Sequence, residues 1–224
     1  MVARSQASET LIEAGDVALP ALLRLPADAR ALVIFVHGSG SSRHSSRNQF
    51  VAEVLERGYL ATLLFDLLSA REDVIDRRTA ALRFDIELLA GRLLAVTDWC
   101  AASVQLRHLP FGYFGASTGA AAALVAASRR PTAIKAIVCR GGRPDMADRA
   151  LQSVVAPTLL IVGSQDSDVL RLNRQAAAQL RAHTELAVVA GATHLFEEPG
   201  TLENVAALAS NWFTRHCLAV APGV

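Results

Sequence analysis

Apolar and polar positions along this 224-residue chain alternate between short runs of buried-strand character and longer stretches with helical spacing. That alternation is the mark of repeated βα units and a mostly parallel sheet. Seven runs read as strands: VALPALLRL near the start, ALVIFVHG ending at Gly38, LATLLFD at Asp66, FGYFG at Gly115, AIKAIVCRG at Gly141, TLLIVG at Gly163 and LAVVAG at Gly191. Helical patterns span about 46–57, 77–104, 117–129, 146–153, 168–182 and 203–217, and no internal repeat is visible. Pro20 places the first run at a sheet edge, because proline has no N–H for a central ladder. About sixteen residues separate Gly141 from the strand starting near Thr158. That is too few for a packed lid of several helices, so an open site is expected.

The composition agrees with a sheet covered on both faces: 52% of residues are hydrophobic and 19% charged. Residues 1–224 are expected to form a single domain. The net charge of +1, with no basic stripe interleaved with aromatics, speaks against nucleic acid as a partner. The N-terminus lacks a signal-like apolar core, and no run approaches the roughly 18 apolar residues of a membrane span, so a soluble, cytoplasmic protein without a membrane partner is expected. Cys100, Cys139 and Cys217 each lie in apolar sequence and read as buried thiols. The apolar stretch around Trp212, Phe213 and Leu218 reads as a helix packed on the sheet, and residues 219–224 as a frayed tail. Monomer and homodimer both remain open.

FGYFGASTGAAAAL, residues 111–124, crowds small side chains around one hydroxyl. Gly115, Ser117 and Gly119 spell G-x-S-x-G between a strand and a helix, the setting of a nucleophile elbow. Three such positions match by chance about 0.05–0.1 times in a chain this long, so the placement supplies the specificity. The small residues then have a reason, because a strained turn leaves no room for side chains two residues on either side. The Thr118 amide, at the helix start, is the first expected oxyanion donor. VHGSGSS follows a strand as an oxyanion loop should, and offers the amide of Ser39, with Gly40 next. Its glycines lack the third small residue and acidic partner of a dinucleotide fingerprint, and no Walker lysine follows. A serine needs a base and an orienting carboxylate. Asp166 and His194 stand just past later strands in the required chain order, at the sheet edge where parallel strands bring all their carboxyl ends. Asp168 is the better helix cap, and Glu197 and Glu198 rank below Asp166 as orienting acid.

Together, VHGSGSS, GASTGA, VGSQD and GATHLF resemble the α/β-hydrolase superfamily, in its small dienelactone-hydrolase-like branch, over nearly the whole chain. The resemblance implies an α/β-hydrolase fold: a mostly parallel central sheet, helices on both faces and no lid domain. It also implies hydrolysis of small carboxylic esters or lactones through an acyl-enzyme. Ser117 would be nucleophile, Asp166 orienting acid, His194 base, and the Ser39 and Thr118 amides the oxyanion hole. Dienelactone hydrolases proper carry cysteine where this chain has Ser117, so their lactone is not carried over. No metal or organic cofactor is needed, and neither H-E-x-x-H nor clustered Cys/His spacing occurs. Acyl transfer to an alcohol, amine or peroxide would use the same triad, and a catalytically silent binding module is the alternative of another class. Arg43, Arg140 and Arg143, near His44, Arg47 and Arg71, are candidate contacts for an anionic substrate, unless they pair with Glu72, Asp73 or Asp145.

Overall fold

Eight strands form one sheet in the computed structural model, which describes residues 7–218. They are β1 (Ser8–Ala14), β2 (Val17–Arg24), β3 (Ala31–Val36), β4 (Leu60–Phe65), β5 (Phe111–Ala116), β6 (Ile134–Arg140), β7 (Thr158–Gly163) and β8 (Thr184–Val189). Their spatial order is β1-β2-β4-β3-β5-β6-β7-β8, with β1 and β2 antiparallel and the rest parallel. The helices are α1 (Ser46–Arg57), α2 (Ala70–Thr79), α3 (Ile86–Ala102), α4 (Thr118–Arg129) and α5 (Ser167–Gln179), which connect strands, and α6 (Thr201–Cys217), which follows β8. Only a 3-10 segment, Pro144–Ser153, lies between β6 and β7.

Every residue of β3, β4, β5 and β7 is buried, because helices cover both faces and the side chains alternate between two cores. Ile34, Tyr113, Ile137 and Leu160 pack with α3, α4 and α5 residues such as Leu93, Leu124 and Ala176. Val33, Phe35, Phe114, Val138 and Ile161 pack with Leu55 of α1 and with Val205 and Phe213 of α6. Trp212 and Phe213 therefore pack on the sheet, as their spacing suggests. The three cysteines are buried. The tail expectation for 219–224 lies outside the described residues.

Three expectations need correction. β2, the Pro20 run, is not the edge, since an extra strand, β1, pairs outside it. Proline is tolerated there because the β2–β4 ladder begins only at Ala21, and Pro20 contributes just its carbonyl, to the Asp66 N–H (3.0 Å). The long 77–104 helix is two helices, broken by Ala80 in a left-handed conformation (φ 53°). The Asp76 carboxylate captures the amides of Leu82 and Arg83 (2.8 and 3.0 Å), and Asp85 caps α3 through Leu88 N–H (3.0 Å). The segment after β6 is a tighter 3-10 run, kinked at Asp148.

Helix α4 lies almost flat against β3 and β5, which explains its alanines. Residues Thr118–Ala127 are all buried, and a Cβ on Gly119 would sit 2.2 Å from Val36 O. A backbone carbonyl in a central strand cannot retreat, so Gly119→Ala is expected to cost about 3 kcal/mol or more. Gly91→Ala on α3, where a Cβ meets nothing within 4 Å, is expected to be neutral or to stabilise by up to about 1 kcal/mol. Urea midpoints of the two variants check the contrast.

Candidate active site

Ser117 occupies the turn between β5 and α4 at φ 50°, ψ −122°, a strained conformation for a residue with a Cβ. It is the N-cap of α4 but makes no side-chain cap hydrogen bond, so its hydroxyl is not spent on the helix. The strain is held by neighbours on every side. Ser117 N–H donates to Arg140 O (3.2 Å), and Ser117 O accepts from the amides of Arg143 and Ala120 (both 3.1 Å). A Cβ at Gly115 would lie 2.6 Å from Ala120 Cα, and one at Gly38 would lie 2.9 Å from Ser117 Cβ. Glycine at 38 thus lets the VHGSG loop close directly on the serine.

Asp166 and His194, far apart in sequence, are joined: His194 Nδ1 lies 2.6 Å from Asp166 Oδ2. An ionised carboxylate can only accept, so Nδ1 carries the proton and Nε2 is left with its lone pair. Asp166 is shielded, with its side chain 14% exposed against 40% for His194. It stands at the N-cap position of α5 yet makes no cap bond, whereas Asp168, expected to cap, is 90% exposed and reaches only Arg171 (3.8 Å). Tertiary pairing with His194 overrides the local preference. Glu197 pairs with Arg47 (3.1 Å) and Glu198 accepts from Thr193 (Oγ1 2.6 Å), so neither competes for the imidazole. His194 and Ser117 meet the same short segment. A Cβ on Gly141 would lie 3.4 Å from the His194 ring, and Arg140 just before it and Arg143 two residues after it hold the Ser117 backbone. Among the described residues the Ser117 hydroxyl makes no hydrogen bond within 3.5 Å, so the Ser–His contact itself is not made.

The loop opposite is anchored by His37. Leu67 N–H donates to its Nε2 (3.0 Å), which puts the ring proton on Nδ1, facing Gly38 O (2.9 Å). Burial lowers the pKa of His37 below its ordinary value, partly opposed by the Gly38 contact. Ser41 N–H closes a turn on Gly38 O (3.2 Å), with Gly40 at φ 70°. The Ser39 amide, expected as an oxyanion donor, is engaged: it donates to Thr118 Oγ1 (2.9 Å). The Thr118 amide, first in α4, has no intrahelical acceptor. Nothing in the sequence pattern flagged the Thr118 side chain, because a threonine after the serine looks like ordinary helix start. A cavity of about 810 Å³ lies between this loop and α2, with Gly38, Ser39, Asp66, Leu67, Arg83 and Thr118 among its walls. Ser117 and His194 are not among them, so it adjoins the expected oxyanion hole rather than the serine–histidine side.

Two of the three candidate arginines are tied to carboxylates. Arg43 binds Asp66 through both its backbone N–H (2.6 Å) and its guanidinium, and Arg143 forms a two-pronged pair with Asp145 (2.9 and 2.8 Å). Arg140 differs. It is 8% exposed, and among the described residues its Nε and Nη1 have no partner and Nη2 has only a 3.5 Å contact, to Asn48 Oδ1. Burial, with the like charge of Arg47, lowers its pKa to about 10. It is a buried cation at the end of β6, the strand beside the serine's, not a rim residue.

A mostly parallel sheet flanked by helices, with a strained serine between β5 and α4, defines an α/β-hydrolase fold. The chain belongs to the dienelactone hydrolase family, whose sequence profile matches residues 19–216. It is similar to the dienelactone hydrolase of Anabaena variabilis, with 52% identity and a TM-score of 0.94 over 96% of this chain and 100% of that one. Est1E of Butyrivibrio proteoclasticus shares the fold at 18% identity, with a TM-score of 0.77 over 92% of this chain and 98% of its own. Two Mycobacterium tuberculosis proteins, from strains H37Rv and CDC 1551, are each 55% identical over 214 residues and carry the provisional name phosphoribosyl transferase. The match spans 96% of this chain but 47% of theirs, so the chain covers about half the length of these relatives. No helix of the described residues is long and apolar enough to cross a membrane.

The buried His37 gives the fold a pH signature. Its folded pKa lies below the value of about 6.5 that it has when unfolded, so on acidification the unfolded chain takes the proton first. Its contribution is fully present above about pH 6.5 and is lost as pH falls through the folded value. Urea unfolding from about pH 7.5 to 5 is expected to show this decline, and His37→Gln to flatten it.

Proposed function

We propose that this chain is a serine hydrolase that cleaves small carboxylic esters or lactones through an acyl-enzyme. The observation that carries the reading is the pairing of a strained Ser117, its hydroxyl uncommitted to the helix, with a His194–Asp166 hydrogen bond of 2.6 Å on the neighbouring loops. Ser117 Oγ attacks the carbonyl carbon and passes its proton to His194 Nε2. The imidazolium that forms is stabilised by Asp166. The carbonyl oxygen, now an alkoxide, is received at the start of α4 by the Thr118 amide, a good donor there being worth about 3 kcal/mol of barrier. His194 returns the proton to the leaving alcohol, then activates a water that releases the acid. These residues complete the cycle without a metal or organic cofactor. The name phosphoribosyl transferase belongs to proteins more than twice as long as the matched region, and nothing in the Ser117–His194–Asp166 arrangement favours it for this part.

A fluorophosphonate probe is expected to label the wild type and not Ser117→Ala. Asp166→Asn is expected to lower kcat on p-nitrophenyl acetate by about 10³–10⁴-fold with little change in KM, because the histidine tautomer is no longer fixed. An unlabelled wild type would point to a silent binding module. Ester consumed without release of free acid, in the presence of an alcohol or amine acceptor, would point to acyl transfer.

The anionic-substrate reading rests on Arg140 alone, since Arg43 and Arg143 are ion-paired. An uncompensated buried cation raises the local potential for any substrate bearing a carboxylate. Arg140→Gln is expected to fold, since removing an unpaired buried charge relieves a desolvation cost. It is expected to lower kcat/KM about tenfold or more on a carboxylate-bearing ester relative to its neutral methyl-capped analogue. Equal losses on both esters would remove the substrate-charge role.

A further inference from the structure

Thr118 does more here than donate its main-chain N–H. Its side chain is 3% exposed, and Oγ1 accepts the Ser39 N–H at 2.9 Å. A peptide N–H carries one proton, so the Ser39 amide, as it stands, is not aimed at a substrate oxygen. The hydroxyl that accepts it still has a proton of its own, and no acceptor for that proton exists among the described residues. Thr118 also forms part of the wall of the 810 Å³ cavity between the loop after β3 and α2. Accepting one hydrogen bond polarises an O–H and strengthens it as a donor. The loop that supplies Ser39 is held by His37 and the Gly38–Ser41 turn, so the donating amide is presented in a fixed place.

We infer that the Thr118 hydroxyl is a side-chain donor to the oxyanion, with the Ser39 amide acting through it rather than directly. The inference rests on Ser117 being the nucleophile. When Ser117 Oγ attacks, the carbonyl π electrons move to oxygen, and that oxygen receives hydrogen bonds from both the N–H and the O–H of Thr118. The threonine keeps its proton throughout, and the only proton transferred is that from Ser117 to His194. The hole is then built from one residue of α4, braced by a loop from β3. Its fixed, water-shielded donors meet charge only as that charge develops.

The test compares Thr118→Val and Thr118→Ser in p-nitrophenyl butyrate hydrolysis, with melting temperatures, phenylboronic acid inhibition and fluorophosphonate labelling of the wild type. Thr118→Val is expected to lose about 10²–10³-fold in kcat with KM nearly unchanged, and to weaken the tetrahedral boronate by a similar factor. Thr118→Ser is expected to stay within about threefold of wild type. Undiminished or faster turnover by Thr118→Val would overturn the inference and make the hydroxyl a plug that keeps the Ser39 amide from the oxyanion. Equal losses in the valine and serine variants would reduce it to packing. If the wild type is labelled, any of these sinks only the hydroxyl's role; an unlabelled wild type sinks the hydrolase reading and this inference together.

Discussion

The backbone of Ser117 at positive φ is the constraint on which the rest of the site depends. A residue with a Cβ enters that conformation at a cost, and it stays there only when the surroundings over-determine it. Here they do: β6 takes its N–H, the loop after β6 supplies donors to its C=O, and α4 begins one residue later. The geometry that strains the serine also brings helix and strands so close that Gly115, Gly119 and Gly38 admit no side chain. The crowd of small residues, the buried face of α4 and the approach of the loop after β3 are consequences of one turn.

Charge in the site is distributed just as economically. The arginines along the His37–Ser45 loop and after β6 are mostly neutralised by partners from other segments, Arg43 by Asp66 and Arg143 by Asp145. Arg83 likewise serves Asp76, whose pKa is lowered by hydrogen bonds from Arg83 and Leu82 that outweigh its desolvation. Arg140 is the exception, a guanidinium buried beside Arg47 whose only polar side-chain contact among the described residues is the long one to Asn48. Of the three arginines it is the one without a carboxylate partner among those residues.

Much of the fold can be read from periodicity because the central strands are buried on both faces and flanked by glycine. β3 to β7 fall where their apolar runs end, and the elbow sits where G-x-S-x-G follows a strand. Reading fails where local signals are ambiguous. β1 has exposed residues at Glu9, Leu11 and Glu13 and so lacks a continuous apolar run. The break between α2 and α3 hinges on Ala80, which has high helix propensity but is turned left-handed by the pull of Asp76 on residues 82 and 83. Asp168 looked the better cap, and Asp166 gave up that role for His194.

The sequence alone determined the class of fold, the place of the serine, and the order in which an acid and an imidazole must follow it. These depend on local backbone geometry and on the carboxyl-end convergence of parallel strands, both of which are written in short-range pattern. The tertiary structure decided which carboxylate takes each arginine, that His37 locks the loop as a neutral ring, and that the Ser39 amide meets the Thr118 hydroxyl. Each of these contacts joins segments between 2 and 79 positions apart at a distance of about one hydrogen bond. Contacts that selective depend on how helices and loops finally pack, which no local pattern encodes.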